Sequence, residues 1–244
     1  GSGTLAITVA AGTAMDAARN LAPASLKSRA LIVDNSAPVM TKVTGETYTA
    51  STTSLKASWA GSDPNSGIVR YEYAVGTVAR GSNVKTWTSA GTNLSATITG
   101  LVLRVGVTYY VSVRAVNGVG LVSPPLSSAG ILIARSVTSI QGAKSLPNGT
   151  AVALPARVVS GVCPTAFYIE ESSRLSGIRV ELAKTLTPGQ SVKVLGKMGV
   201  AANGEQAILA PIVPDAPVAG VAVTPVVVTL RTVGGATQGN TPGP

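Results

Sequence analysis

Apolar positions alternate with polar ones through most of this chain, with a period of two. The pattern is clearest over residues 94–125. There Ala96 and Ile98 alternate with threonines, Leu101, Leu103 and Val105 lead to Gly106, and Tyr109, Val111, Val113 and Ala115 follow. One apolar and one wet face at this spacing predict two antiparallel strands joined by a corner. Leu55, Ala57 and Trp59 alternate likewise and predict a strand carrying Trp59 into a core. Residues 68–75 predict another, with Val69, Tyr71 and Tyr73 on one face. The GSDPNSG cluster at 61–67 is a turn, 84–87 approaches a further strand, and Ser123-Pro124-Pro125 breaks the chain before a last strand at 131–133.

The same pattern flanks this region. Leu5, Ile7 and Val9 alternate near the start, and residues 24–33, with Leu31 and Val33, lead to Asp34. After residue 136, strands are predicted over 151–159, 166–170, 177–182, 191–195 and 207–209, with tight turns at Asn148-Gly149 and Asn203-Gly204. Residues 221–230 are strongly apolar, with Val221, Val223, Val226 and Val228, and Pro225 predicts an edge or a bulge there. Residues 234–244 are rich in Gly, Thr and Pro and read as linker.

Three resemblances follow. Trp59, the six-residue step from Leu103 to Tyr109 and the V-x-V-x-A-x-N run from Val111 to Asn117 resemble a fibronectin type III domain over residues 38–135. Val105 departs from the family, where a proline is more common. The resemblance implies a corner tyrosine whose hydroxyl satisfies backbone where the chain changes sheets. Residues 1–37, ending in the VDN-x-AP string from Val33 to Pro38, resemble the final part of a bacterial immunoglobulin-like repeat. Residues 136–233, with FYIEES, GIRV and LTPGQSVKVLGK, resemble an OB-fold barrel. The expected fold is all-β: an immunoglobulin-like and fibronectin type III sandwich followed by an OB-like Greek-key barrel, as in secreted bacterial multidomain proteins.

Composition narrows the chemistry. The 244 residues suit two domains plus a piece. Apolar residues make up 45%, enough for real cores, whereas charged residues are only 12%, so the surface must be mostly neutral hydroxyls and small side chains. There is no histidine, which removes the commonest general base and metal ligand. Cys163 is the single cysteine, so no internal disulfide forms; it reads as a small buried or turn residue with no histidine to activate it. No apolar run reaches the roughly 20 residues needed to cross a bilayer. The chain starts GSG, so a secretion signal is expected to have been removed or to lie elsewhere.

The net charge of +9 is diffuse. Residues 1–37 carry three basic and two acidic groups, residues 38–135 eight and three, and residues 136–244 eight and five, with no basic run. Solubility and weak attraction to anionic polysaccharide follow, whereas a nucleic-acid groove would want clustering.

Alternation turns Phe167, Ile169, Ile178 and Val180 inward on the barrel, and Tyr168, Glu170, Arg179 and Glu181 outward. Tyr168 and Arg179 could stack on a sugar or base, but the two glutamates repel phosphate, and a solvated face is the ordinary reading. Trp87 could stack on a sugar ring; packing or a strand-edge anchor is the ordinary reading. Asp63 and Asn65 could offer oxygens to calcium, but two ligands fall short of the six to eight required, and a turn-stabilising pair is expected. Glu170 and Glu181 make the one plausible carboxylate pair. No phosphate loop, nucleotide fingerprint or nucleophile elbow appears, so no catalysis, cofactor or metal is expected.

The expectation is a non-catalytic extracellular structural protein of the cell surface or matrix, a filament subunit joined by β-strand exchange. The predicted exchange residues are Leu5, Ile7, Val9, Leu31, Val33, Val221, Val223, Val226 and Val228. Its expected partners are copies of itself or adjacent β-domains, and polysaccharide, with no nucleic acid and no membrane span. The alternative expectation is a carbohydrate-binding accessory module of a larger secreted enzyme, using Trp87 and a tyrosine.

Overall fold

The computed structural model describes residues 2–220 and divides into two compact units, Gly1–Arg135 and Ser136–Pro244. Strands dominate both, and a single five-residue helix occurs among the described residues. The expected all-β class, sandwich then barrel, is what the chain adopts. No helix among the described residues is long and apolar enough to cross a membrane.

The first unit begins with β1 (Gly3–Leu5) and β2 (Leu31–Val33), which pair antiparallel with Leu5 opposite Leu31. The pairing continues irregularly. Ser28 and Ser25 each donate their backbone N–H to a carbonyl, of Ile7 and Val9 respectively, and each accepts that residue's N–H on its hydroxyl, at 2.8 Å in both cases. One chain advances two residues while the other advances three, so a serine hydroxyl stands where a regular ladder would have a carbonyl. The two stretches were expected to present unpaired backbone. Instead they pair with each other, and only the outer edges of this ribbon stay open.

Nine strands build the sandwich: β3 (Val39–Gly45), β4 (Tyr48–Thr49), β5 (Leu55–Ser62), β6 (Ile68–Gly76), β7 (Lys85–Gly91), β8 (Ser95–Ile98), β9 (Thr108–Asn117), β10 (Leu126–Ser127) and β11 (Ile131–Ile133). One sheet runs β3-β5-β8 and the other β4-β11-β9-β6-β7, with β10 also on β9. Leu55, Ala57 and Trp59 are buried while Lys56 and Ser58 are exposed, as alternation dictates. Trp59 packs against Tyr71 and Tyr73 with ring centroids 6.3 and 6.2 Å apart, and its indole N–H donates to Asn93 O at 3.0 Å. Ile98, Val111, Val113, Ile131 and Ile133 complete this core.

Two local details turn on backbone geometry. Gly106 sits at φ +81°, a left-handed turn that lets Tyr109 fold back to the corner. Val69 was expected on the core face with Tyr71 and Tyr73. The register slips between Ile68 and Arg70, so Ile68 packs on the core and Val69 is 49% exposed.

The second unit follows β12 (Arg135–Ser136) with α1 (Ile140–Lys144), β13 (Ala151–Val162), β14 (Phe167–Glu170), β15 (Gly177–Val180), β16 (Ser191–Val200) and β17 (Gln206–Ile212). The order β13-β14-β15-β17-β16 closes through β13–β16 into a five-stranded barrel, antiparallel except at β15–β17. β13 pairs with both β14 and β16, and its register against β16 shifts between Leu154 and Arg157, where Pro155 has no N–H to give. Phe167, Ile169, Ile178, Val180, Val194 and Ile208 fill the interior, with Ile140 and Ala143 of α1 in the same cluster. Gly196 admits a close strand approach: a Cβ there would lie 2.5 Å from Ile208 Cγ2 and 3.0 Å from Leu209 O. The predicted strand at 221–230 and the tail at 234–244 lie outside the described residues.

Candidate functional site

The outward barrel face carries Tyr168 on β14 directly opposite Arg179 on β15. The Arg179 guanidinium donates from Nε to Glu181 Oε1 at 2.6 Å and from Nη1 to the Tyr168 hydroxyl at 2.9 Å. That hydroxyl in turn donates to Glu205 Oε2 at 2.7 Å, from the loop before β17. The Glu181 hydrogen bond and then the one to Tyr168 push the Arg179 pKa up, and the bond from Tyr168 holds Glu205 below its usual range. The shallow cavity beside them, lined by Lys144, Gly177, Ile178 and Gln206 as well, has a volume of about 190 Å³. Ligand clefts usually start near 300 Å³, and here the Arg179, Tyr168 and Glu205 side chains are already bonded to one another or to Glu181. Chemically the face is a closed hydrogen-bonded network, with Glu205 the member that alternation alone does not reveal.

The carboxylate pair considered for glycoside chemistry does not form. Register sets Glu170 opposite Gly177, and its carboxylate meets Arg174 at 3.5 Å, while Glu181 belongs to Arg179. Glu171, on the other side of the strand, accepts the Ile140 N–H and pairs with Arg157 Nε at 2.8 Å, fastening the start of α1. Cys163 is exposed rather than buried, and its N–H donates to Ala166 O in a turn.

Trp87 on β7 is half-buried, and a guanidinium stacks on it. Arg114 Cζ lies 4.3 Å from the ring centroid. Glu72 of β6 holds that arginine from below: Oε2 accepts Arg114 Nε at 2.8 Å and Oε1 accepts Arg70 Nε at 2.8 Å. Burial opposes the carboxylate charge, but the hydrogen bonds from Arg70 and Arg114 outweigh it and lower the Glu72 pKa.

Where the ribbon joins the sandwich, Asp34 and Asp63 meet Asn117. Asp34 Oδ2 accepts from Ser66 Oγ at 2.6 Å and Asn117 Nδ2 at 2.9 Å, and Oδ1 accepts from Ser36 N at 2.9 Å and Ser2 Oγ at 3.1 Å. Asn117 Nδ2 also reaches Asp63 Oδ2 and Ser36 O, each at 3.1 Å. Its Oδ1 accepts from Leu121 N at 2.8 Å, which fixes the amide with its N–H groups toward the acids. Asp63 Oδ1 accepts three turn N–H groups, from Asn65, Ser66 and Gly67, so the turn reading of Asp63 describes its geometry. Among the described residues no cluster of three or more acidic, histidine or cysteine side chains could hold a metal ion.

Leu5, Ile7, Val9 and Leu31 are 53%, 65%, 48% and 62% exposed, and Leu5, Ile7 and Val9 share one face by alternation, with Leu31 across from Leu5. Val33 is half-buried beside Asp34. Val221, Val223, Val226 and Val228 lie outside the described residues. Comparison with protein-family models gives no match, and comparison with curated proteins gives none either.

Proposed function

We propose that this chain is a non-catalytic structural protein of a bacterial cell surface or extracellular matrix, a filament subunit joined to its neighbours by β-strand exchange. One observation carries the reading: the ribbon of β1 and β2 exposes an apolar face of Leu5, Ile7, Val9 and Leu31. Two strands with a bare apolar face are not stable alone in water. Their outer edges accept further strands through backbone hydrogen bonds. The apolar segment with Val221, Val223, Val226 and Val228 has the composition of an incoming strand.

The finer family assignments belong to the same proposal. The ribbon ending at Val33 is the close of an immunoglobulin-like repeat. The three- and six-stranded sheets with a corner tyrosine make a fibronectin type III domain. The barrel, antiparallel except between its third and fifth strands, is an OB-fold.

Sedimentation velocity and negative-stain microscopy of the purified protein test the assembly. The expected result is concentration-dependent polymer, lost in Leu5→Asp and Ile7→Asp variants that keep the sandwich melting temperature. A monomer at every concentration, with a ribbon that resists proteolysis, overturns it.

A further inference from the structure

We infer that the outer face of the β9-β6-β7 sheet is a binding site for an acidic polysaccharide of the polyuronate class. This goes beyond the structural role and does not depend on strand exchange.

The face is built by alternation across three neighbouring strands. Tyr71 and Tyr73 of β6, Val113 and Ala115 of β9, and Val84 and Ala90 beside and within β7 pack on the core. Arg70 and Glu72, Arg114 and Trp87 therefore share the opposite face. Glu72 lies directly across from Arg114. Two arginines stand over one carboxylate. That carboxylate is only 14% exposed and is spent on Arg70 and Arg114, whose side chains are 45% and 32% exposed.

The arrangement holds the arginines without using them up. Arg114 spends Nε and Nη2 on Glu72 Oε2 and lays its plane near the Trp87 ring, so its direction is set before any ligand arrives. Among the described residues, no partner meets Arg114 Nη1, or the Nη groups of Arg70. Fixed guanidinium donors recognise planar carboxylates in two-pronged fashion, and an indole beside them suits the C–H face of a sugar ring. A uronate unit brings both features together.

The charge of the domain favours the same partner. Residues 38–135 carry eight basic groups against three acidic. Of the three acids, Glu72 lies beneath the arginines and Asp63 is turned to a turn and to Asn117. A nucleic acid is the poorer fit. It wants a continuous cationic track and a row of ring faces for successive bases, whereas this face offers a single indole and the chain has no basic run.

The test is titration calorimetry of the full chain with a polygalacturonate oligosaccharide and with its methyl ester. The polyuronate is expected to bind and the neutral ester to bind at least about tenfold more weakly. Arg114→Gln and Arg70→Gln should each weaken binding about tenfold, and Trp87→Leu should weaken it comparably, while Lys197→Gln on the exposed barrel surface leaves it unchanged. Arg70 is the more exposed arginine, so its variant keeps the test open should Arg114→Gln melt the domain. No binding by the polyuronate overturns the proposal. So does an equal loss from Lys197→Gln, or tighter binding of the ester, of a sulfated polysaccharide or of single-stranded DNA. Assembly of the subunit is read separately by sedimentation, so either proposal can fail alone.

Discussion

The Tyr109 hydroxyl accepts a hydrogen bond from the Arg104 backbone N–H at 2.9 Å. Five residues separate them, and between them the chain turns at Gly106 from the edge of one sheet into β9 of the other. Gly106 N–H is satisfied by Ile133 O, while Leu101 and Leu103 donate to Thr53 and Thr52 and bury their side chains. The tyrosine ring is buried at 3% exposure, so its hydroxyl is the group positioned to meet Arg104 N–H. Tyr109→Phe keeps the ring and removes that acceptor. It should lower unfolding stability by about 1–2 kcal/mol, measured by urea denaturation, with the sheet pattern unchanged. A loss below the error of the measurement would show that water takes over the Arg104 N–H.

The barrel makes its own prediction at Gly196. A methyl there would press on Ile208 Cγ2 at 2.5 Å and on the backbone of Leu209 and Pro211 at 3.0 Å. Gly196→Ala should therefore destabilise the protein by about 1–3 kcal/mol, the usual range for forcing an atom into a packed core. Ile208→Ala in the same chain removes that Cγ2, so the double variant should be less unstable than the two single losses added together. A double variant as unstable as the sum of the single ones would place the clash on the backbone instead.

Acid should loosen the junction between ribbon and sandwich. Asp34 is held below its ordinary 3.8 first by the Ser66 hydroxyl, then by the Ser36 N–H. A group with a depressed folded-state pKa stabilises fully above its unfolded value and loses that contribution as pH falls through the folded one. Melting temperature and ribbon proteolysis should therefore be flat near neutrality and change below about pH 3.8. Asp34→Asn removes this titration and should flatten the acid limb. An unchanged limb would assign it to other depressed carboxylates, Glu72, Glu205 or Asp16.

The alternation of side chains by itself determined a great deal. It set many of the strands of both units, though not β3, β4 or the helix α1, and with them the burial of Trp59 and of the Phe167, Ile169, Ile178 and Val180 set, and the outward direction of Tyr168 and Arg179. These are local consequences of a period of two, which any residue and its second neighbour carry between them. Tertiary structure alone decided which strands lie side by side and where register slips. The slip beside Ile68 sends Val69 to solvent, and no local pattern encodes it. Asn117 meets Asp34 across 83 residues, and Arg114 covers Trp87. Such pairs form because sheet packing sets whole strands next to each other, and the free energy that selects the arrangement is shared over the entire core rather than written at either partner.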